Sequence, residues 1–561
     1  MSATLLLLPG SALGAQTTRA ERTEYRETSG YADVVAFLDS LRALGAPISL
    51  HTLALSPERR AIPYVVASRP LVRGPTDASR SGKPVVYLQA NIHAGEVEGK
   101  EAAQMLLRDL TLGPLAPLLD SLVLLVVPIY NVDGNEALAA GDSNRPGQNG
   151  PAMAGRRANG QGLDLNRDYV KMEAPETRGA AALLLEWNPQ VFVDLHTTNG
   201  SYHGYALTYS PGLNPNATDA NDFVRDRMLP ALKSRMQQRH GRATFPYGNF
   251  RNQHPDSLAQ GWETYDARPR FGVNWMGLRG RMAVLSEAYS NDDFRTRVAS
   301  TYDFVRELLS LVAEERATVM ALDSAPPRRP DSVAVRSVLG PPVRQRVIAE
   351  ITQPAGEGNG GYARRRRSGV YRTMEMPVYD RFIAARREAI PESYLIPERL
   401  SRVVELLRRH GITVERVREP AGGPLETFTV DSVARDPRYE GRHLLRVEGR
   451  WRAGGASAAA GWYQVRTAQP LGVLVAYLLE PASEDGVVTW NLLDAGLSAG
   501  RPYPILRRSH APDRCARPGL RADRPRRPAC LPRRAGREAR DPLLLPEGRH
   551  PGLHQGGLRV P

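Results

Sequence analysis

Between about Glu21 and Glu315, short apolar runs alternate with longer amphipathic stretches, a pattern that predicts an α/β region with a largely parallel sheet. Four runs carry the prediction: Pro84 to Leu88, Leu122 to Val127, Val191 to Leu195, and Met282 to Leu285. Each stops at polar residues: Asn91 and His93, then Asn131 and Asp133, then His196, and finally Ser286 and Glu287. In open α/β sheets, ligands gather beyond the carboxyl ends of strands, so these distant endings are expected to converge on one crevice. An amphipathic helix is predicted over Val97 to Leu110, directly after the first ending.

The pattern changes after this region, which is bounded as 21–320. Residues 321–345 are Pro-rich and read as a linker. A second, smaller region of α+β or β-rich type is expected over 346–506. Its helix, Pro397 to Arg409, places Leu400, Val403, Val404 and Leu407 at helical spacing and ends at Gly411. Strand-like stretches follow at Gly422 to Val433, His443 to Arg450 and Leu471 to Leu478. The four cations Arg364 to Arg367 read as a solvated loop. The first 16 residues, apolar and ending in small side chains without a basic start, read as a clipped secretory signal, which implies a secreted or periplasmic protein. No other segment offers ~18 uninterrupted apolar residues, so no membrane span is expected.

The chain has 561 residues, 42% of them hydrophobic, enough for several sizeable cores. A formal net charge of +14 would suggest nucleic acid, but its distribution argues otherwise. Only four of the 74 basic residues are lysines (Lys83, Lys100, Lys171 and Lys233), an imbalance of the kind that coding bias produces. The stretch 507–561 holds 14 arginines against five acids and so carries most of the surplus. That stretch has nine Pro and six Gly but no aromatic, Ile or Met, so it reads as a disordered tail, or as an out-of-frame reading of a GC-rich gene. Both cysteines, Cys515 and Cys530, lie there. Any metal site elsewhere must therefore use His, Asp or Glu.

His93 and Glu96 supply one such pair. At a spacing of three, in a tight turn or at a helix start, imidazole and carboxylate can face one cation. A catalytic zinc takes three protein ligands and keeps one open position. His196, at the end of an apolar run, is the best third ligand; His203 is its rival. Asn166 and Arg167, in Gly-Leu-Asp-Leu-Asn-Arg, pair an amide with a guanidinium and suit a carboxylate clamp. Arg156 and Arg157 offer a fixed cation for a developing oxyanion. Glu287 ends an apolar strand, and a carboxylate beside a zinc site is a natural general base.

Together these residues resemble the zinc carboxypeptidase family, the carboxypeptidase A-like metallopeptidases. The similarity runs in order through Asn91-Ile-His-Ala-Gly-Glu96, Pro128-Ile-Tyr-Asn-Val-Asp-Gly134, Arg157-Ala-Asn-Gly-Gln-Gly-Leu-Asp-Leu-Asn-Arg167, Asp194-Leu-His-Thr197 and Leu285-Ser-Glu287. The resemblance implies an α/β/α domain around a mixed, largely parallel sheet, and one Zn²⁺ held by His93, Glu96 and His196. It implies Glu287 as general base and then acid, and Arg157, or Arg156 by a one-residue slide, as the oxyanion partner. Asn166 and Arg167 would hold the terminal carboxylate of a peptide substrate. A tyrosine would close over that substrate; Tyr265 fits the family spacing and Tyr247 competes. The family arginine two residues after the first zinc ligand is Gly95 here. The second region is similar to C-terminal extensions of some bacterial members. Two other functions compete: a zinc-dependent amidase or deacylase of acyl-amino acids or cell-wall peptides, and a secreted binding protein on a peptidase scaffold. Retention of the full ligand set with Glu287 and Arg167 argues against the second.

Overall fold

The computed structural model describes residues 16–510, apart from 218, 325–328, 355–364, 421–424, 455 and 494–495. The expected leader up to residue 15, Arg364, and both cysteines with the tail from 511 lie outside the described residues.

The first region is built on eight strands: β1 (Ile48–Leu55), β2 (Ala61–Ala67), β3 (Val85–Ala90), β4 (Val123–Val127), β5 (Val191–Thr197), β6 (Leu207–Pro211), β7 (Thr244–Pro246) and β8 (Met282–Ala288). Their order across the sheet is β1-β2-β4-β3-β5-β8-β6-β7. The central four, β4-β3-β5-β8, run parallel, with antiparallel partners outside them. Every residue of these four is buried, because parallel strands are covered on both faces and so read as continuous apolar runs. The covering helices are α1 (Tyr31–Ala43), α2 (Glu98–Thr111), α3 (Pro175–Trp187), α4 (Leu229–His240), α5 (Gly272–Leu278), α6 (Phe294–Glu314) and α7 (Arg316–Ser324). Helices α2 and α4 pack on α6, while α3 lies on β1. From β3 the chain crosses to β4 on one side, then returns over β3 to β5 on the other. The carboxyl ends of β3 and β5 therefore flank a topological switch point, where open sheets leave a crevice.

The second region contributes β9 (Ser332–Leu339), β10 (Val343–Glu350), β11 (Tyr371–Tyr379), β12 (Phe382–Ala389), β13 (Ser393–Ile396), β14 (Leu425–Tyr439), β15 (Arg442–Gly454), β16 (Tyr463–Arg466) and β17 (Leu506–Arg508), with helices α8 (Ser401–Arg409) and α9 (Gly472–Leu479). A six-stranded antiparallel sheet runs from Glu415–Arg416 through β16, β13, β17 and β14 to β15. A second sheet is shared between regions: β11 pairs with β10 on one side and, in parallel, with Trp262–Glu263 on the other. Up to His510 the chain is one contact unit.

Four expectations need correction. The supposed linker 321–345 holds the end of α7 and, beyond the Pro cluster, β9 and the start of β10. Val333 and Val335 alternate into the core there, and β9 pairs with β12. The run Leu471 to Leu478 is helix α9 rather than a strand; nearly all of it is buried, and an apolar run without polar positions has no readable period. The tail does not begin at 507. Strand β17 lies between β13 and β14, with the Arg507 charge met by Glu426 and, at 3.3 Å, Glu480, and its guanidinium 4.5 Å over Trp451. Counting charges could not reveal partners some 80 and 27 positions away. Likewise Arg367 is no solvated loop residue: it bonds Glu350 at 2.8 Å and lies over the ring of Tyr289. No helix among the described residues is long and apolar enough to cross a membrane.

Candidate active site

The crevice is shaped by the polar residues that end the strands. After β3, Asn91 takes a left-handed conformation (φ 65°), which asparagine tolerates better than most residues. Its amide donates to the carbonyls of Ala94 and Glu96 at 3.2 and 3.3 Å, and the Glu96 N–H returns to the carbonyl of His93 at 2.9 Å. The turn so formed presents His93 and Glu96 together just before α2. After β4, the Asn131 amide donates to the carbonyls of Ile92 and Arg157 at 3.3 and 3.0 Å, joining two loops of the site. Gly134 makes that closeness possible: a Cβ there would sit 2.6 Å from the Arg156 carbonyl and 2.8 Å from that of Ala158.

His93, Glu96 and His196 converge, with one donor atom from each lying within 4.8 Å of the others. His93 Nδ1 is 3.1 Å from Glu96 Oε1, and His196 Nδ1 is 2.9 Å from Glu96 Oε2. Behind them, His93 Nε2 meets Asp164 at 3.0 Å and His196 Nε2 meets Asp194 at 3.1 Å. An aspartate beside Nε2, hydrogen-bonded in the case of His93 and at ion-pair distance in the case of His196, favours the tautomer whose Nδ1 lone pair faces forward. Two such lone pairs and a carboxylate aimed at one point are satisfied by a cation. Two nitrogens and an oxygen form a three-ligand set of the kind catalytic zinc uses, so the residues fit the metal. His203 is not in this cluster. Buried, it accepts the Tyr205 N–H at Nδ1 and packs its ring 4.2 Å from Tyr289.

Glu287 faces the same cluster. On the parallel pair β8–β5 it stands directly opposite His196, so the register of two buried strands sets the carboxylate beside the imidazole. Burial pushes its pKa up to about 8, with Glu96 adding to the effect and His196, Arg145 and Arg157 opposing it. For Glu96 the balance is reversed: burial would raise its pKa, but Arg145, His93 and His196 hold it well below the carboxylate range. Of the two candidate arginines, Arg157 reaches the site, bonding Asp164 at 2.9 Å and lying 3.4 Å from Glu96. Arg156 is exposed and donates to the Asn159 carbonyl.

Asn166 accepts the Gly272 N–H at 3.0 Å and places its Nδ2 3.4 Å from His196 Nε2. Arg167, half-buried, stacks 4.0 Å over Phe271. Tyr265 meets Phe271 edge-on at 5.3 Å and Tyr247 at 5.6 Å, so both candidate tyrosines belong to one aromatic wall that runs to Arg167. Burial and the Glu287 charge raise both their pKa values.

Sequence reasoning missed several residues of the site. Asp194 sits two positions before His196 on the same strand face, a signal that period-two alternation could have given. Asp164 lay unused inside a motif already singled out. Arg145 comes from a loop with no readable pattern. Its Nη1 lies 3.3 Å from Glu96, and its Nη2 donates to the carbonyls of Thr197 and Thr198 at 2.6 and 3.0 Å. Its side chain packs over Gly95, bringing a guanidinium to Glu96 from a distant loop.

Comparison with known proteins agrees with this geometry. Residues 34–269 match the family described as zinc carboxypeptidase. Over this segment the chain resembles the zinc carboxypeptidases. Carboxypeptidase 2 of Trichophyton equinum is 24% identical over 479 residues, covering 81% of this chain and 81% of that protein, so the likeness extends past the family segment into the second region. Human carboxypeptidase D is 30% identical over 145 residues, 23% of this chain and 10% of its own. Among solved structures, carboxypeptidase A from Helicoverpa armigera aligns with a TM-score of 0.40 and 16% identity, over 56% of this chain and 80% of that one. A metallo-carboxypeptidase from Burkholderia cenocepacia aligns at 0.38 and 15%, over 51% and 69%. This carboxypeptidase is a metallopeptidase with an α/β catalytic core and a further β-rich region.

Proposed function

We propose that the enzyme removes residues from the free C-terminus of peptides, using one Zn²⁺ held by His93, Glu96 and His196. The observation that carries this reading is the pair of imidazoles, each backed by an aspartate and facing Glu96, with Glu287 in register beside them. When bound, the metal supplies Lewis acidity toward water and the scissile carbonyl. Glu287 takes the proton of the attacking water and returns it to the leaving amine. Arg157, held by Asp164, donates to the charge that develops on the carbonyl oxygen. Asn166 and Arg167 hold the substrate's terminal carboxylate, which confines cleavage to the last peptide bond. The wall of Tyr265, Tyr247 and Phe271 covers the residue removed and keeps water from it. The apolar run at Leu5–Leu8, followed by small residues, supports export as part of the same proposal.

The test is mass-spectrometric reading of a mixed peptide library after incubation with the purified enzyme, with and without a zinc chelator. Sequential loss from the C-terminus that the chelator abolishes is the expected result. A folded, zinc-loaded enzyme that leaves peptides intact but cleaves N-acyl amino acids would overturn it in favour of a deacylase.

A further inference from the structure

The long hairpin β14–β15 of the second region reaches the catalytic crevice. Its two-residue turn, Glu440-Gly441, has positive φ at both positions (47° and 77°), the geometry of a tight hairpin reversal. Three side chains at that turn are tied to the first region. Glu440 accepts the backbone N–H of Asp164 at 3.3 Å, and Arg442 pairs with Glu173. Tyr439, the last residue before the turn, places its hydroxyl oxygen 2.8 Å from Arg167 Nε, which donates to it. The Tyr439 ring is fixed independently: the guanidinium of Arg270, buried and paired with Asp485, lies 5.2 Å over it, and Trp490 stands 6.3 Å away.

Arg167 is thereby oriented from three directions. Nε is held by Tyr439, Nη1 donates to the Asn166 carbonyl at 2.9 Å, and its face rests on Phe271. A two-pronged carboxylate contact depends on the plane of the guanidinium, so whatever fixes that plane fixes the clamp. The phenol oxygen that accepts from Nε also keeps its own proton, which it can donate to an anion seated beside the arginine.

We propose that Tyr439, supplied by the second region, is a substrate-positioning residue: it sets the orientation of Arg167 and adds an O–H donor for the terminal carboxylate of the peptide. The proposal rests on the reading of Arg167 as the carboxylate clamp. It gives the second region a part in substrate recognition, because the clamp is incomplete without the hairpin tip.

Tyr439→Phe removes the hydroxyl and keeps the ring on Arg270 and Trp490. The measurement compares the variant with wild type on an N-blocked tripeptide carrying a free C-terminal carboxylate, and uses the same tripeptide as its C-terminal amide as a competitive inhibitor. The expected result is a KM for the free acid raised about ten-fold, a kcat within three-fold of wild type, and an inhibition constant for the amide within two-fold. An unchanged KM, or equal weakening of acid and amide, would overturn the proposal, the latter showing that the hydroxyl only seats the hairpin. Failure of the underlying reading looks different: wild type itself would bind acid and amide alike, and Arg167→Gln would leave the KM of the acid unchanged.

Discussion

The joint between α8 and the first region predicts a measurable sensitivity to acid. His410, at the end of α8, is fully buried against the catalytic core. Its Nε2 lies 3.0 Å from the carbonyl of Val170, to which it donates, and its Nδ1 lies 3.2 Å from the Trp275 indole nitrogen. An indole N–H can only donate, so Nδ1 must be unprotonated and the ring neutral. Burial pushes the His410 pKa down to about 3; the bond to Val170 opposes this and Arg279 adds to it. A histidine with a depressed folded pKa gives its full contribution above its unfolded value of about 6.5 and loses it as pH falls from there toward 3. Between pH 8 and pH 5 the unfolded imidazole takes up its proton over about 1.5 pH units while the folded one does not, a loss of about 2 kcal/mol. His410→Gln removes that share. It destabilises by about 1 kcal/mol at pH 8, where one of the two bonds is lost, but falls less steeply on acidification. Urea unfolding of both proteins at pH 8 and pH 5, followed by tryptophan fluorescence, measures the difference. If the two stabilities fall in parallel between these pH values, the buried neutral imidazole is not the cause and the reasoning fails.

Glu287→Gln should bind zinc as wild type does yet lose about 10³-fold in kcat, since the amide cannot take the proton of water; metal analysis beside steady-state kinetics decides this. Asp194→Asn should weaken zinc binding about 10- to 100-fold, measured by competition with a chelator, because the His196 imidazole loses the carboxylate that orients it; unchanged affinity would remove Asp194 from the site. Asp485→Ala should cost about 3 kcal/mol in chemical denaturation, because Arg270 would be left as an uncompensated buried charge and the Trp490 indole would lose its acceptor.

Much of the catalytic core was legible because parallel strands announce themselves as apolar runs and their polar endings fall at one edge of the sheet. His93, Glu96, His196 and Glu287 come together for that reason, and the register opposite His196 follows from pairing β5 with β8. What stayed hidden depends on contacts between residues far apart in the chain. Arg145 is brought to Glu96 by a loop whose path is set by its hydrogen bonds to Thr197 and Thr198, not by any period. Tyr439 meets Arg167 across 272 positions, and nothing local distinguishes it from any other strand-end tyrosine. Helix α9 reads as a strand in sequence because near-complete burial erases the polar face that separates a period of 3.6 from one of two. The expected linker concealed β9 because proline density marks only the residues that contain it.

The sheet shared by Trp262–Glu263 and β11 gives the two regions a common fate. The small core beside it draws Phe245, Phe250 and Trp262 from one region and Val347, Met376 and Val378 from the other. A truncated protein ending near residue 320 would expose half of that core and an unpaired strand edge within a few residues of the Tyr265 wall, a combination that invites aggregation. The two regions of this chain therefore fold and fail together, and a peptidase cut between them would release two incomplete halves rather than a working enzyme and a spare part.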